Sequence, residues 1–355
     1  MGQRTKQPIV SLSYFISQAQ PFLQQAERLL PRQGPGDKPF YPEWWMTLLI
    51  MVAIFYKKKS KSAQYRFLLG RQHELLAVWG GKRFPARSGY FRRYHRAHQL
   101  YQIAIRLQGE QAIAEGVAHA KRVAVDKSMV EARGRVWHQR DRARGKIPSG
   151  VDVAATWSYS EHDQWVFGFS YEVVATATPG SVVFPLLASV DTASASEMST
   201  FAAKINELPE AVRTVCADSA YDGNLLAERV EYDSQDRRTG RRFLCPENPR
   251  HPRPQNKPSH ATASQIERRK RRQARRDFLK KPYGRRLYAR RRKTVEPFNQ
   301  WFKSLFDLED RVWHRGLDNN RTQILASLFG YQLMVRVNHQ LGYQHGRIRW
   351  LLDGL

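Results

Sequence analysis

Three acidic residues of a strongly basic chain are the ones whose types and placement could do chemistry. Asp126 ends an apolar run that begins at Arg122, and Asp218 ends another that begins at Arg213. A single Asp closing a strand is ordinarily a turn or cap residue. Two of them at the ends of two core strands come near one edge of a sheet, where open α/β sheets build their sites. A buried unpaired carboxylate is costly, and a cation relieves that cost. Hard divalent ions take oxygen ligands, so the pair points to Mg²⁺, with Mn²⁺ as a substitute, rather than to zinc. Glu296 is the third candidate ligand, with Glu228 and Glu247 next in line for that place. Two ions held by three carboxylates suit in-line displacement at phosphorus, one activating a water or a 3′-hydroxyl and the other stabilising the leaving oxygen.

These side chains need a scaffold. Residues 9 to 118 have apolar positions at helical spacing, interrupted at Gly80, Gly81 and Pro85. Arg87 opens the next element, a helix running to about Leu107, with Arg92 and Arg93 beside aromatic residues. Two helices joined by a Gly-bearing turn fit a helix-turn-helix reader of duplex DNA over about residues 60–108, with Arg87, Arg92 and Arg93 as DNA contacts. From Lys121 the period changes. Strands are predicted at Arg122–Asp126, Val151–Tyr159, Trp165–Thr178, Ser181–Val190, Arg213–Asp218 and Arg241–Cys245, with helices at Ala195–Leu208 and Gly223–Val230. Strands in a meander followed by alternating helix and strand describe an α/β domain with a mixed sheet. Trp157 and Trp165 are read as buried strand aromatics rather than as surfaces on which a flipped base stacks.

Around the third carboxylate, Val295, Phe298, Phe302 and Leu305 fall on one helical stripe, while Glu296 and Lys303 share another face. Arg292 joins that face if the helix extends back to it; Pro297 suits a first turn, and Thr294 is the candidate cap. A helix at Asn319–Gln340 closes the domain. The division expected is a helical DNA-binding region at 1–118 and a catalytic domain at 119–355, the latter carrying a basic arm at 246–293.

Composition limits the function classes. The chain of 355 residues carries 59 Lys and Arg against 32 Asp and Glu, a net charge of +27, with 41% hydrophobic residues and 9 Trp. A folded body with that excess needs a polyanion, and nucleic acid is the default. The density peaks between Arg268 and Lys293, where 15 of 26 residues are Lys or Arg, the pattern of a surface that tracks phosphates by counterion release. Cys216 and Cys245 stand alone, which argues against a zinc finger or a disulfide framework and for a reducing compartment. The polar N-terminus lacks an apolar signal core, and the run Leu48–Phe55 is far too short to cross a membrane and reads as a buried helix.

The segments Val125 to Ala132, Ala217 to Asp222 (with Tyr221), and Arg292, Glu296 and Lys303 in that spacing resemble the DDE transposases of bacterial insertion sequences that carry a Y-R-E-K signature. The resemblance covers roughly residues 85 to 340. It implies an RNase H-like mixed five-stranded sheet with flanking helices, preceded by an all-helical N-terminal domain. It implies Asp126, Asp218 and Glu296 as the metal-binding triad of Mg²⁺-dependent cutting and joining, with two ions per site. Carried over onto this chain, Arg292 and Lys303 are similar to the signature's DNA-contacting residues. Tyr288 departs from the pattern, because three residues rather than two separate it from Arg292, and Arg291 is the alternative for that place. The implied partners are double-stranded DNA, as terminal inverted repeats and as target, and a second copy of the chain in the DNA complex; the implied setting is the bacterial cytoplasm and nucleoid. A catalytically silent DNA-binding repressor and a non-specific RNase H-like nuclease are the competing readings.

Overall fold

The computed structural model describes residues 10–31, 40–161, 163–249, 262–343 and 346–355. The extreme N-terminus and most of the proline-rich stretch within the expected arm lie outside the described residues. Six helices come first: α1 (Leu12–Leu29), α2 (Glu43–Phe55), α3 (Lys61–Gly70), α4 (Gln72–Trp79), α5 (Arg87–Tyr94) and α6 (Ala97–Ala114). The apolar run around Leu48 is indeed a buried helix: every residue of α2 from Trp44 onward is shielded. Among the described residues no helix is long and apolar enough to cross a membrane.

The helix expected from Arg87 to Leu107 is two helices, α5 and α6, broken at His95 and Arg96. The Thr322 hydroxyl explains the break, since it donates to the Tyr94 carbonyl at 2.7 Å and accepts from the His98 amide at 3.1 Å. A side chain inserted between an N–H and the carbonyl four residues back interrupts the helical ladder.

The sheet comprises β1 (Arg122–Glu131), β2 (Thr156–Ser160), β3 (Gln164–Thr176), β4 (Pro185–Thr192), β5 (Thr214–Cys216) and β6 (Arg242–Leu244). β3 runs antiparallel to β1 on one side and to β2 and β4 in succession on the other. β5 is parallel to β1, and β6 is parallel to β5. The RNase H-like mixed sheet is therefore present, six strands filling five lateral positions. Between and after the strands come α7 (Gln139–Ala143), α8 (Glu197–Ala202) and α9 (Asn224–Glu231), followed by α10 (Ala263–Lys280), α11 (Pro282–Ala289), α12 (Val295–Leu305), α13 (Leu317–Gln340) and α14 (Arg349–Asp353).

Several strand boundaries differ from expectation by a few residues, and two departures follow from β3. Its 13 residues outrun β1, whose last rung pairs Glu131 with Gly168. β1 thus extends to Glu131, which leaves Asp126 in mid-strand rather than at an end. The other end of β3 projects with β2 as a hairpin beyond β1. Trp165 is accordingly 67% exposed instead of buried, with Tyr159 packed against its ring and Trp157 half-buried.

α13 is buried on all sides from Thr322 to Asn338, because it lies between the N-terminal helices and the sheet. Two of its interior glutamines are anchored there: the Gln332 amide donates to the carbonyls of Ile105 and Pro185, and Gln323 accepts from the Trp313 amide. Gly330 permits the tight contact with α2, since a Cβ at that position would lie 2.4 Å from the Phe55 ring. One hydrophobic core consequently runs from α1 through α13 to the sheet.

Candidate active site

Parallel pairing of β1 with β5 stops at the rung joining Ala124 to Cys216. Asp126 and Asp218 each follow two residues after that rung, so the chain turns both toward the same end of the parallel pair. Asp218 is then fixed by its own backbone. Its carboxylate accepts from the Ala220 amide at 3.0 Å, capping a short 3₁₀ turn over Ser219–Tyr221, and its carbonyl accepts from the Cys245 thiol. α12 lies beside β1 and buries the expected apolar stripe of Val295, Phe298, Phe302 and Leu305, with Phe302 on the Tyr171 ring of β3 and Phe298 on the Tyr331 ring of α13. That docking presents Glu296, in the first turn of α12, to the two aspartates.

The three carboxylates meet on one cation, the guanidinium of Arg291. Its Nη2 donates to Asp126 and lies 3.4 Å from Asp218, while Nη1 lies 3.5 Å from Glu296. Asp126 accepts a second hydrogen bond, of 2.6 Å, from the amide of Asn299. Access is graded: side-chain exposure rises from 10% at Asp126 through 38% at Asp218 to 52% at Glu296. Burial pushes the Asp126 carboxyl up to about 7; Arg291 opposes this, while the charges of Asp218 and Glu296 add to it. Burial also works against the charge on Arg291, but Asp126 and Asp218 more than compensate and hold it above its ordinary value.

The donor set is chemically right for a hard divalent ion: three carboxylate groups, with the Asn299 Oδ1 buried beside them and lacking any hydrogen-bond partner. Their spacing is another matter. Among the described residues no three His, Cys, Asp or Glu side chains stand close enough together to ligate one ion, and at the centre of this group lies the guanidinium.

The other sequence candidates divide by exposure. Arg292 does not reach the carboxylates and is exposed, so Arg291, the alternative, is the arginine at the centre. The Lys303 amine donates to the Met129 carbonyl of β1 at 2.7 Å; burial lowers its pKa, against the opposing charges of Asp163 and Asp126. Tyr288 is half-buried, and burial raises its phenol to about 12. Arg87 and Arg92 are exposed on α5, whereas Arg93 turns inward to the Tyr41 carbonyl and Glu43. Glu228 and Glu247 are held elsewhere, by Arg268 and by Arg272 and Arg276.

Two groups at the site escaped the sequence reading. Asn299 carried a usable signal, since it stands three residues after Glu296 on the same helix. Glu197 at the start of α8 carried none. Burial and the Asp218 charge push it up to about 7, against Lys127 at 3.8 Å. The basic run also behaves differently from expectation. Arg268, Arg271, Arg272, Arg275 and Arg276 of α10 pair with Glu228, Asp236, Asp222, Glu231 and Glu247 of the same chain. Much of that run therefore docks α10, and the anionic partner it requires is partly internal.

A cryo-EM structure of the piggyBac transposase synaptic complex with hairpin DNA is similar to this chain at 9% identity and a TM-score of 0.40, over 96% of this chain and 76% of that one. No curated protein matches the chain. The family described as transposase DDE domain matches residues 118–333, which is more than half of the sequence and contains β1, β5, α12 and all three carboxylates. The chain belongs to the transposase DDE domain family.

Proposed function

We propose that the chain is a DNA transposase that cuts the ends of an insertion sequence and joins them to target DNA, with Asp126, Asp218 and Glu296 as its catalytic carboxylates. The observation that carries this reading is the convergence of those three side chains, from β1, from the turn after β5 and from α12, on a single cation. They would hold Mg²⁺, or Mn²⁺ in its place, with Asn299 positioning Asp126 through its amide. The chemistry such ions supply when bound is activation of a water or 3′-hydroxyl and stabilisation of the leaving oxygen.

The protein's own groups supply placement. Asp126 is fixed deep in the sheet, while Glu296 stands at the solvent edge, where a phosphate can approach. Exposed Arg292 flanks that edge, and Tyr288 and Lys303 line the same neighbourhood from α11 and α12. Arg87 and Arg92 on α5 are the duplex contacts of the helical region. Residues 1–118 serve DNA binding and residues 119–355 catalysis, on terminal inverted repeats and target DNA brought together by at least two copies of the chain.

The test is cleavage of a labelled duplex carrying the source element's end, with Mg²⁺, with EDTA, and with the Asp126→Ala protein. Specific cuts absent from both controls are expected. Binding without cutting in Mg²⁺ or Mn²⁺ would transfer the assignment to a DNA-binding repressor, and equal cutting of unrelated duplex would transfer it to a non-specific nuclease.

A further inference from the structure

Charge at the site does not balance. Three carboxylates share one guanidinium at the centre, so the acidic groups there outnumber the cation they meet on. The geometry of Arg291 is also unlike that of a permanent structural arginine. Elsewhere in the chain Arg336 grips Glu115 with Nε and Nη2 on the two carboxylate oxygens, the fork-to-fork arrangement that gives arginine pairs their strength. Arg291 instead spreads two nitrogens over three carboxylates and grips none of them with a fork. It stands in the turn between α11 and α12, so a change in its position breaks no helix or strand.

We infer that Arg291 is a built-in counter-cation that holds Asp126, Asp218 and Glu296 together while no metal is bound and must leave their centre when a divalent ion binds. The inference rests on the proposal that these carboxylates are the metal ligands. Three like charges brought together from separate elements repel, and the guanidinium keeps the site assembled in the metal-free chain. The same contacts oppose the metal, because the work of displacing Arg291 is subtracted from the intrinsic affinity. Arg291 is thus a positioning residue that sets the threshold for metal loading. A purely structural arginine has the opposite signature, since its removal loosens the ligands and weakens metal binding.

The experiment is a titration of the metal-stripped full-length chain with Mn²⁺, read by electron paramagnetic resonance of the free ion, for wild type, Arg291→Ala, Arg291→Lys and Asp126→Ala. Thermal melting with and without Mn²⁺ accompanies it. Arg291→Ala is expected to bind Mn²⁺ about tenfold more tightly than wild type, within the usual range of coupling between two binding events. Without metal it melts at a lower temperature than wild type, and Mn²⁺ closes most of that gap. Arg291→Lys, a point charge unable to span three carboxylates, falls between the two, and it decides the matter by itself if the alanine variant does not fold. Binding that is unchanged or weaker in the Arg291 variants, while wild type shows a saturable site lost in Asp126→Ala, would overturn the role of Arg291 and leave the metal site standing. Absence of any Asp126-dependent Mn²⁺ binding in wild type and in the Arg291 variants would overturn the metal site, and this inference with it.

Discussion

Adjacent residues of β1 open onto two differently balanced charge clusters. Asp126 looks toward Asp218 and Glu296, where one guanidinium serves three carboxylates. Lys127 belongs to a second cluster, in which charges and donors are matched closely. Its amine donates to the carbonyls of Ala193 and Ala195 at 2.8 Å, and beside it Lys204 pairs with Glu172 at 2.7 Å. The hydroxyl of Tyr221 completes Glu172 at 2.8 Å. Each cluster has a carboxylate buried in the same sheet, Asp126 in one and Glu172 in the other, so the burial of one acid does not by itself separate site from scaffold. Balance does: a neutralised cluster holds elements together, and an under-neutralised one has capacity for a further cation. The contrast also assigns Tyr221, part of the segment resembling the family, to support of the fold behind Asp218 rather than to the reaction.

The comparison is broken most severely at the unbalanced cluster. Asp126→Ala is expected to lower divalent-dependent strand cleavage by about 10³-fold or more, the consequence of losing several kcal/mol of metal stabilisation, with duplex binding retained. Gel-based cleavage and mobility-shift assays on the same preparation check it. At the balanced cluster the damage appears in stability instead. Lys204→Ala strands Glu172 as a buried unpaired charge and is expected to cost about 3–5 kcal/mol by urea denaturation, whereas the pair Lys204→Met with Glu172→Gln recovers most of that loss. A rescue that fails would mean the cluster does more than neutralise.

A buried neutral group tests the same logic by pH. His314, hydrogen-bonded to the Tyr94 hydroxyl, is pushed by burial down to about 3. The unfolded chain accepts a proton near the ordinary histidine pKa and the folded chain does not. This stabilisation is therefore full above about pH 6.5 and declines as pH falls toward 3, by about 1.4 kcal/mol per unit. Denaturation curves between pH 7 and 5 should show a shallower decline for His314→Gln than for wild type. The smallest effect is expected on α10. Arg275→Ala removes a partner from Glu231, which still accepts from the Phe243 amide, and should cost only about 1 kcal/mol in the same assay.

Much of this molecule was legible in its residues. Period and composition located the buried α2, the mixed sheet, the stripe of α12 and the length of α13, because helical and strand periodicities are local properties of the chain. Asp126, Asp218 and Glu296 were legible as candidates for the same reason: each stands at a definable place relative to an apolar run. Length of pairing was less accessible. That β1 continues to Glu131 and that Trp165 projects into solvent depends on how far β3 outruns its neighbours, which neither strand encodes alone. The break between α5 and α6 depends on Thr322, more than two hundred residues away.

Charge partners were the least accessible. A run of arginines reads the same whether it faces phosphates or the acidic residues of its own fold, and Arg291 and Arg292 are equivalent neighbours in the sequence. The sequence by itself determined which chemical groups this protein possesses and which local elements carry them. Only the tertiary structure decided which of those groups meet, because electrostatic pairing falls off within a few ångströms and depends on how elements distant along the chain are packed together.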